Sequence, residues 1–488
     1  MIAPGDDIEI VTDTIAHGGA CVGRHEGQVV FVRDAVPGER LLVHIDSMGK
    51  GHRFAHAHVI EVLEPSPSRR THPWPEADGL LTAHPVGGAD YGHIRPDTQT
   101  QLKKQVIAEQ LTRLGGMDPE SDLLRGLTVE ALDLTPDGGW RTRVHWAVDD
   151  TGRLGMHPYH GADILPVQEL PFAVEAINAL HLWEGEWRNI QRVDVAAPSS
   201  GEPALVVFTA AEGIIPEEIV DDVDVELATC LPAGQEVSAV IVPAPVSGRQ
   251  RGEKPDPQLV RGTSEVREAV TAPGGEKLMF RVGAGGFWQN HAKAPDWLMN
   301  TVAEASGLEP GQTAWDLYGG AGLLAAGLAD RVGEHGTVWT VEGSPVTADD
   351  AANNFSPEGQ ARTSGARDTE VVVTRSGVEQ ALRRWATANN AGARHGRSRR
   401  AKPRTDVPQG SPDVVVLDPP RQGAGRRVME AITGAEPSRI VYVACDPAAL
   451  GRDAGFLREH GWEPTWLRGV DMYPDTHHVE TIVVFEKS

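Results

Sequence analysis

The sequence predicts an α/β protein: a C-terminal doubly wound, Rossmann-like domain, preceded by a small N-terminal β-barrel and a central α+β domain. Three observations predict it. At 488 residues the chain is too long for one ordinary domain. From about residue 286, apolar strands (TAWDLYG, TVWTVEG, EVVVTR, DVVVLDPP, RIVYVAC, TIVVFEK) alternate with helical patterns, which implies βαβ units around a mostly parallel sheet. At the other end of the chain, short β-branched runs are separated only by Gly or Pro.

Taken in order, residues 1–64 hold DIEIVTDTI, GQVVFVRDAV, RLLVHIDSM and FAHAHVIEVLE, a pattern suited to a compact five-stranded barrel with His17-Gly18-Gly19-Ala20 as one tight connection. Residues 65–125 are a linker and a helical segment: Pro65-Ser66-Pro67-Ser68 opens it, and TQTQLKKQVIAEQLTRLGG reads as an amphipathic helix closed by Gly115 and Gly116. Residues 126–285 mix strands (WRTRVHWAVDD, ALVVFTAA, EVSAVIVPA, KLMFRVG) with one helix, FAVEAINALHLWEG. Residues 286–488 are the doubly wound domain. Residues 386–411, rich in Gly, Arg, Ser and Pro, interrupt it as an exposed insertion without periodicity.

Composition excludes several classes. No apolar run approaches the roughly 20 residues needed to cross a bilayer. The start, MIAPGDDIEI, is acidic where a signal peptide is basic, so a cytoplasmic location is expected. Three scattered cysteines, Cys21, Cys230 and Cys445, exclude a disulfide framework. A formal net charge of −24 argues against a phosphate-binding surface spread over the whole chain. It leaves room for a local one, because Ala381 to Thr405 carries eight Arg or Lys residues and no acidic ones.

Ligands of doubly wound sheets bind where strands end beside the switch in strand order. The first such end is Trp315-Asp316-Leu317-Tyr318-Gly319-Gly320-Ala321-Gly322, and the next strand ends at Glu342, suited to binding ribose hydroxyls. GGAGLLAAG lacks the GxGxxG spacing that aims amides at a pyrophosphate. That favours S-adenosylmethionine over a dinucleotide. Two later strands end in Asp418-Pro419-Pro420-Arg421-Gln422-Gly423 and in Ala444-Cys445-Asp446-Pro447, on the same rim.

With these residues the chain resembles the RNA uridine-5-methyltransferases, whose members act on tRNA or ribosomal RNA. The resemblance spans nearly the whole sequence. Residues 1–64 look like the accessory RNA-binding barrel called TRAM, and 141–180 like the family's central domain. Phe287-Trp288-Gln289-Asn290, DLYGGAG, VEGSP, LDPPRQG, VYVACDPAAL and HHVETIVVF follow in the family's order. It implies Gln289, Tyr318, Glu342 and Asp418 around the cofactor, Asp418 and Arg421 toward the substrate, Cys445 as nucleophile and Glu480 as general base. The chemistry explains those residue types. C5 of uracil is a weak nucleophile until a thiolate adds to C6, and a base is then needed to remove the C5 proton. The target nucleotide has to be unpaired or flipped, and Phe287, Trp288 and Tyr473 are candidates to stack on it.

Two departures from the family pattern stand out. Many relatives carry four cysteines for an iron–sulfur cluster, three of them after the barrel, whereas residues 71–93 here contain none. No cluster and no metal are therefore expected, and the spacing of His72, His84 and His93 matches no standard zinc site. The family's Asn after the nucleophile is Asp446, whose like charge should disfavour a thiolate slightly, and Gly319 replaces a Cys often found after the DLY tyrosine. RNA is the expected partner and a monomer the expected state. The alternatives are an amino-group nucleic-acid methyltransferase without a covalent step, or a non-catalytic RNA-binding paralogue.

Overall fold

The computed structural model describes residues 2–135, 138–159, 161–245, 257–394 and 407–488. β1 (Asp7–Ile15), β2 (Cys21–His25), β3 (Gln28–Arg33), β4 (Arg40–Met48) and β5 (Phe54–Glu64) close into a barrel in the order β1-β2-β3-β5-β4. The alternation in RLLVHIDSM points Leu41, Val43 and Ile45 inward, where they meet Val30, Val32, Ala55 and Ala57 in a sealed core.

The segment after the barrel serves the C-terminal sheet. Helix Pro96–Arg113 packs on helix Pro447–Glu459, and the close approach needs two glycines. A Cβ at Gly451 would lie 2.7 Å from the Gln110 carbonyl oxygen, and one at Gly455 2.7 Å from that of Leu114. Lys103 on this helix is buried and reaches Asp471 at 2.7 Å and the Tyr473 carbonyl at 3.1 Å. β6 (Val129–Ala131) follows and, with Val129 opposite Gly469, adds in parallel as an edge strand of the C-terminal sheet.

In the central region β7 (Arg143–Val148), β8 (Leu154–Met156), β9 (Leu165–Pro166), β10 (Ile190–Ala196), β11 (Ala204–Ala210), β12 (Val237–Val242) and β13 (Gln258–Arg261) form one sheet, ordered β13-β12-β11-β10-β7-β8-β9. The helix expected over FAVEAINALHLWEG is reduced to Glu175–Asn178 and a 3₁₀ turn at Leu182–Glu184. Asn178 gives its side chain to the Leu170 backbone, accepting from N–H (3.1 Å) and donating to C=O (3.0 Å), and His181 adopts a left-handed φ of 50°. Local side-chain bonding of this kind competes with helix propagation. The region's longest helix is Val220–Cys230 instead. A hairpin, β14 (Glu265–Thr271) and β15 (Lys277–Gly283), leads into the last region.

There β16 (Thr313–Leu317), β17 (Thr337–Glu342), β18 (Glu370–Arg375), β19 (Val414–Leu417), β20 (Arg439–Ala444), β21 (Trp462–Asp471) and β22 (Glu480–Lys487) build the sheet β18-β17-β16-β19-β20-β22-β21-β6. β16 to β20 are parallel, and β22 inserts antiparallel between β20 and β21. The chain runs outward from β16 to β18 and returns to β19 on β16's other side, which creates the switch point at which such sheets bind ligands. Helix Val378–Arg394 extends well into the stretch expected to be irregular from 386. Its apolar face (Val378, Ala381, Leu382, Trp385) is anchored on the sheet, and Asn389 beyond it accepts from the Gly410 N–H at 3.0 Å. Residues 395–406, the most basic part of that stretch, lie outside the described residues.

Candidate active site

The Gly-rich turn after β16 is dictated by crowding. A Cβ at Gly319 would fall 2.0 Å from Thr340 Oγ1, and one at Gly322 2.4 Å from the Phe355 ring. Any side chain in the Gly319 position would collide, which accounts for the glycine there. Tyr318 before it takes φ 66°, a left-handed conformation that costs a residue with a Cβ free energy and recurs at functional sites. Asn354 holds the turn from behind by donating to the Ala321 carbonyl (3.0 Å).

Glu342, at the end of β17, is fixed at both oxygens: Gly320 N–H donates to Oε2 (3.0 Å) and Ser344 N–H to Oε1 (2.6 Å). The turn and the carboxylate therefore form one unit. Asp418 follows β19. Cys445 follows β20, and Glu480 opens β22. Ala444 pairs with Thr481, so the next step in that antiparallel register sets Cys445 opposite Glu480.

All seven residues singled out in the sequence, Gln289, Tyr318, Glu342, Asp418, Arg421, Cys445 and Glu480, line one cavity of about 1070 Å³. Of the three aromatic candidates, Phe287 and Tyr473 also line it, while Trp288 is 3% exposed and packs on Phe280. Trp288 is a core residue, its indole packed in the apolar cluster that includes Phe280 and Val282. Arg141, which no sequence signal singles out, lines the cavity from the central region.

The cavity is rich in carboxyl groups. Burial, with Asp316 and Glu342 nearby, pushes Asp418 up to about 7. Asp316, wholly buried beneath the turn, is likewise pushed up to about 7 by burial, against a bond from Thr340 (3.1 Å). Glu480 is raised well above the usual carboxylate range by burial and by Asp418, and its Oε1 has no hydrogen-bond partner among the described residues. Burial also raises the Cys445 thiol, to about 12, with Glu480 and Asp418 adding to the rise and Arg421 opposing it. The other cysteines are sealed in apolar cores, Cys21 in the barrel and Cys230 at a helix end.

The expected penalty from Asp446 is small beside these. Its side chain caps helix Pro447–Glu459 through the Ala449 N–H (2.7 Å), and Oδ2 lies 2.9 Å from Nε2 of His17 in the barrel. His477 Nδ1 lies 2.7 Å from Asp90 Oδ2. The barrel and the segment after it thus touch the rim of the cavity at two points. Neither is visible in sequence, since each joins residues hundreds of positions apart.

His72 and His93 are structural. His72 Nδ1 accepts from Trp74 N–H (3.0 Å), leaving Nε2 to donate to the Ala89 carbonyl (2.9 Å), and His93 Nε2 lies 3.1 Å from the Ala35 carbonyl oxygen. Burial holds His93 down at about 3. Among the described residues no group of three or more His, Cys, Asp or Glu could hold a metal ion, and no helix is long and apolar enough to cross a membrane.

No protein-family model matches the chain. It is 28% identical to the 23S rRNA (uracil(1939)-C(5))-methyltransferase RlmD of Alkalilimnicola ehrlichii, over 99% of this chain and 97% of that one. The fold is that of the Pyrococcus abyssi tRNA (uracil-54, C5)-methyltransferase solved in complex with S-adenosyl-L-homocysteine: TM-score 0.63 over 98% of this chain and 99% of that one, at 17% identity. An uncharacterized RNA methyltransferase of Streptomyces coelicolor is 33% identical over 99% of this chain and 93% of its own length. With that identity sustained from end to end, the chain belongs to the RNA methyltransferase family, which includes uracil-C5 methyltransferases.

Proposed function

We propose that the protein transfers a methyl group from S-adenosylmethionine to C5 of a uridine in tRNA or ribosomal RNA, with Cys445 as nucleophile and Glu480 as base. The observation that carries this reading is the register of β20 and β22, which sets a thiol opposite a buried carboxyl group whose Oε1 has no partner among the described residues, beside the Gly-rich turn.

The cavity suits the cofactor on chemical grounds. Asp316, Glu342, Asp418 and Glu480 crowd one another, so a ligand carrying positive charge relieves their repulsion. Glu342, with both oxygens already oriented by backbone N–H groups, would accept from ribose hydroxyls. Gln289 and Tyr318 would close the site around it. When bound, the cofactor supplies an electrophilic methyl group next to a cationic sulfur.

The steps on the protein side follow from the groups present. Cys445, as thiolate, forms a bond to C6 of the uracil, and the C5–C6 electron pair moves toward the C4 carbonyl. C5 then takes the methyl group. Glu480, as carboxylate, removes the proton left on C5, the C5–C6 double bond re-forms and the sulfur–C6 bond breaks. A carboxyl group whose proton affinity is raised by burial is a stronger base than one in water, which suits a carbon acid activated only by the neighbouring C4 carbonyl. Phe287, more than half exposed at the cavity mouth, and Tyr473 deeper inside offer faces for a base taken out of its stack.

RNA bearing 5-fluorouridine at the target position tests the reading. Glu480 cannot remove fluorine as it removes a proton, so a denaturation-resistant protein–RNA adduct should accumulate. It should require S-adenosylmethionine and be absent in Cys445→Ala. If Cys445→Ala still methylates uridine at the wild-type rate, the covalent route is refuted.

A further inference from the structure

Arg421 is held by a neutral partner. Arg143, Arg439 and Arg468 each meet a glutamate, Glu268, Glu486 and Glu130, whereas among the described residues Arg421 meets no carboxylate. Its Nη2 lies 3.1 Å from Nε2 of His478. A guanidinium can only donate, so Nε2 accepts and His478 is the neutral tautomer protonated on Nδ1. The surroundings enforce that state. Burial, then the neighbouring His477 and Arg421 itself, hold His478 down at about 3, while Asp90 acts the other way. The imidazole is wedged between the His477 ring (centroids 4.1 Å apart) and the Tyr473 ring (5.9 Å). His477 is in turn pinned to Asp90.

A carboxylate in the place of His478 would hold Arg421 equally well but would cancel its charge. A neutral acceptor fixes the guanidinium and leaves the charge intact. Arg421 lines both cavities that reach Cys445, and it is the one cation among the leading influences on that thiol, set against Glu480, Asp418 and Asp446.

We propose that His478 is a positioning residue that holds Arg421 beside Cys445 as an undischarged cation, and so favours the thiolate. The proposal rests on the reading of Cys445 as nucleophile, but its test needs no RNA. The rate of iodoacetamide alkylation at Cys445 is measured against pH by peptide mass spectrometry on the full-length protein. Cys21 and Cys230 serve as internal reporters of folding, because both are buried and should stay unlabelled. At fixed pH, His478→Ala should slow alkylation about tenfold, corresponding to a shift of the profile by on the order of one pH unit. Arg421→Ala should match it. His478→Gln, a neutral acceptor, should restore most of the rate, and His478→Asp, which keeps the bond but cancels the charge, should not.

Wild-type alkylation rates in His478→Ala and Arg421→Ala would overturn the proposal. So would a wild-type rate in His478→Asp, or equal slowing in His478→Ala and His478→Gln, which would mark a merely structural role. The expected order of rates combined with no adduct on 5-fluorouridine RNA would overturn the covalent reading and leave this one standing.

Discussion

Two glutamates, Glu268 in β14 and Glu480 at the head of β22, are 2% and 5% exposed, and the fold treats them in opposite ways. Glu268 is fully provided for: Arg143 donates to Oε1 at 2.6 Å, and the Ser199 N–H and hydroxyl donate to Oε2 at 2.9 and 2.7 Å. Among the described residues Glu480 Oε1 has no partner, and the neighbouring group that raises it is another carboxyl, Asp418. A buried carboxylate surrounded by donors ties the central region together. One surrounded by other carboxyl groups is left reactive, its proton held more tightly than in water.

The largest expected effect comes from removing the thiol. Cys445→Ala should lower methylation by on the order of 10⁴-fold or more with the melting temperature unchanged, read by tritium transfer into RNA beside calorimetry. Glu480→Gln comes next. Turnover should fall by about 10²–10⁴-fold, a covalent protein–RNA species should accumulate, and stability should hold or rise because Gln cannot ionise against Asp418. Arg143→Ala should invert that pattern by stranding Glu268, costing about 3–5 kcal/mol in urea denaturation. If Glu480→Gln proved as destabilising as Arg143→Ala, the contrast between the two glutamates would fail.

Smaller effects sharpen the comparison. Glu342→Ala should weaken S-adenosylmethionine binding by about 1–3 kcal/mol in calorimetry. Asp316 and Asp418 have folded-state values raised to about 7 from an ordinary 3.8, so their contribution to stability is complete below about pH 4 and is lost as pH rises to about 7. Asp316→Asn should therefore flatten the decline in melting temperature over that window. A slope unchanged from wild type would mean that the acid is not held neutral by its surroundings.

The site was legible in sequence to the extent that it is built from strand ends. Tyr318, Glu342, Asp418 and Cys445 each lie at the carboxyl end of a recognisable apolar run, and a doubly wound sheet brings such ends together whatever lies between them. What depends on long-range contact was not legible. His478 stood in plain view beside Glu480, but its partner is Arg421, and Arg141 enters from just ahead of β7 in the central region. Composition misled at 386–394, where Ala, Asn and Arg continue a helix whose buried anchor, Trp385, is secured from outside by its indole N–H donating to the Gly410 carbonyl (3.0 Å). Periodicity misled at FAVEAINALHLWEG, since Ile177, Leu180 and Leu182 reach the core from an irregular path.

The pairing of Val129 with Gly469 has a consequence for synthesis. The edge strand that completes the C-terminal sheet leaves the ribosome long before the strand it pairs with exists. Until β21 arrives, β6 and the part of helix Pro96–Arg113 that carries Ile107 and Leu111 have nothing of their own to cover, although Leu102 and Val106 already pack on the barrel, and the finished sheet would present a bare edge to other chains if β6 were cut away. The C-terminal sheet is therefore clasped late, by a segment made early, and a fragment beginning at residue 286 should be a poor folder even though it contains Cys445 and Glu480.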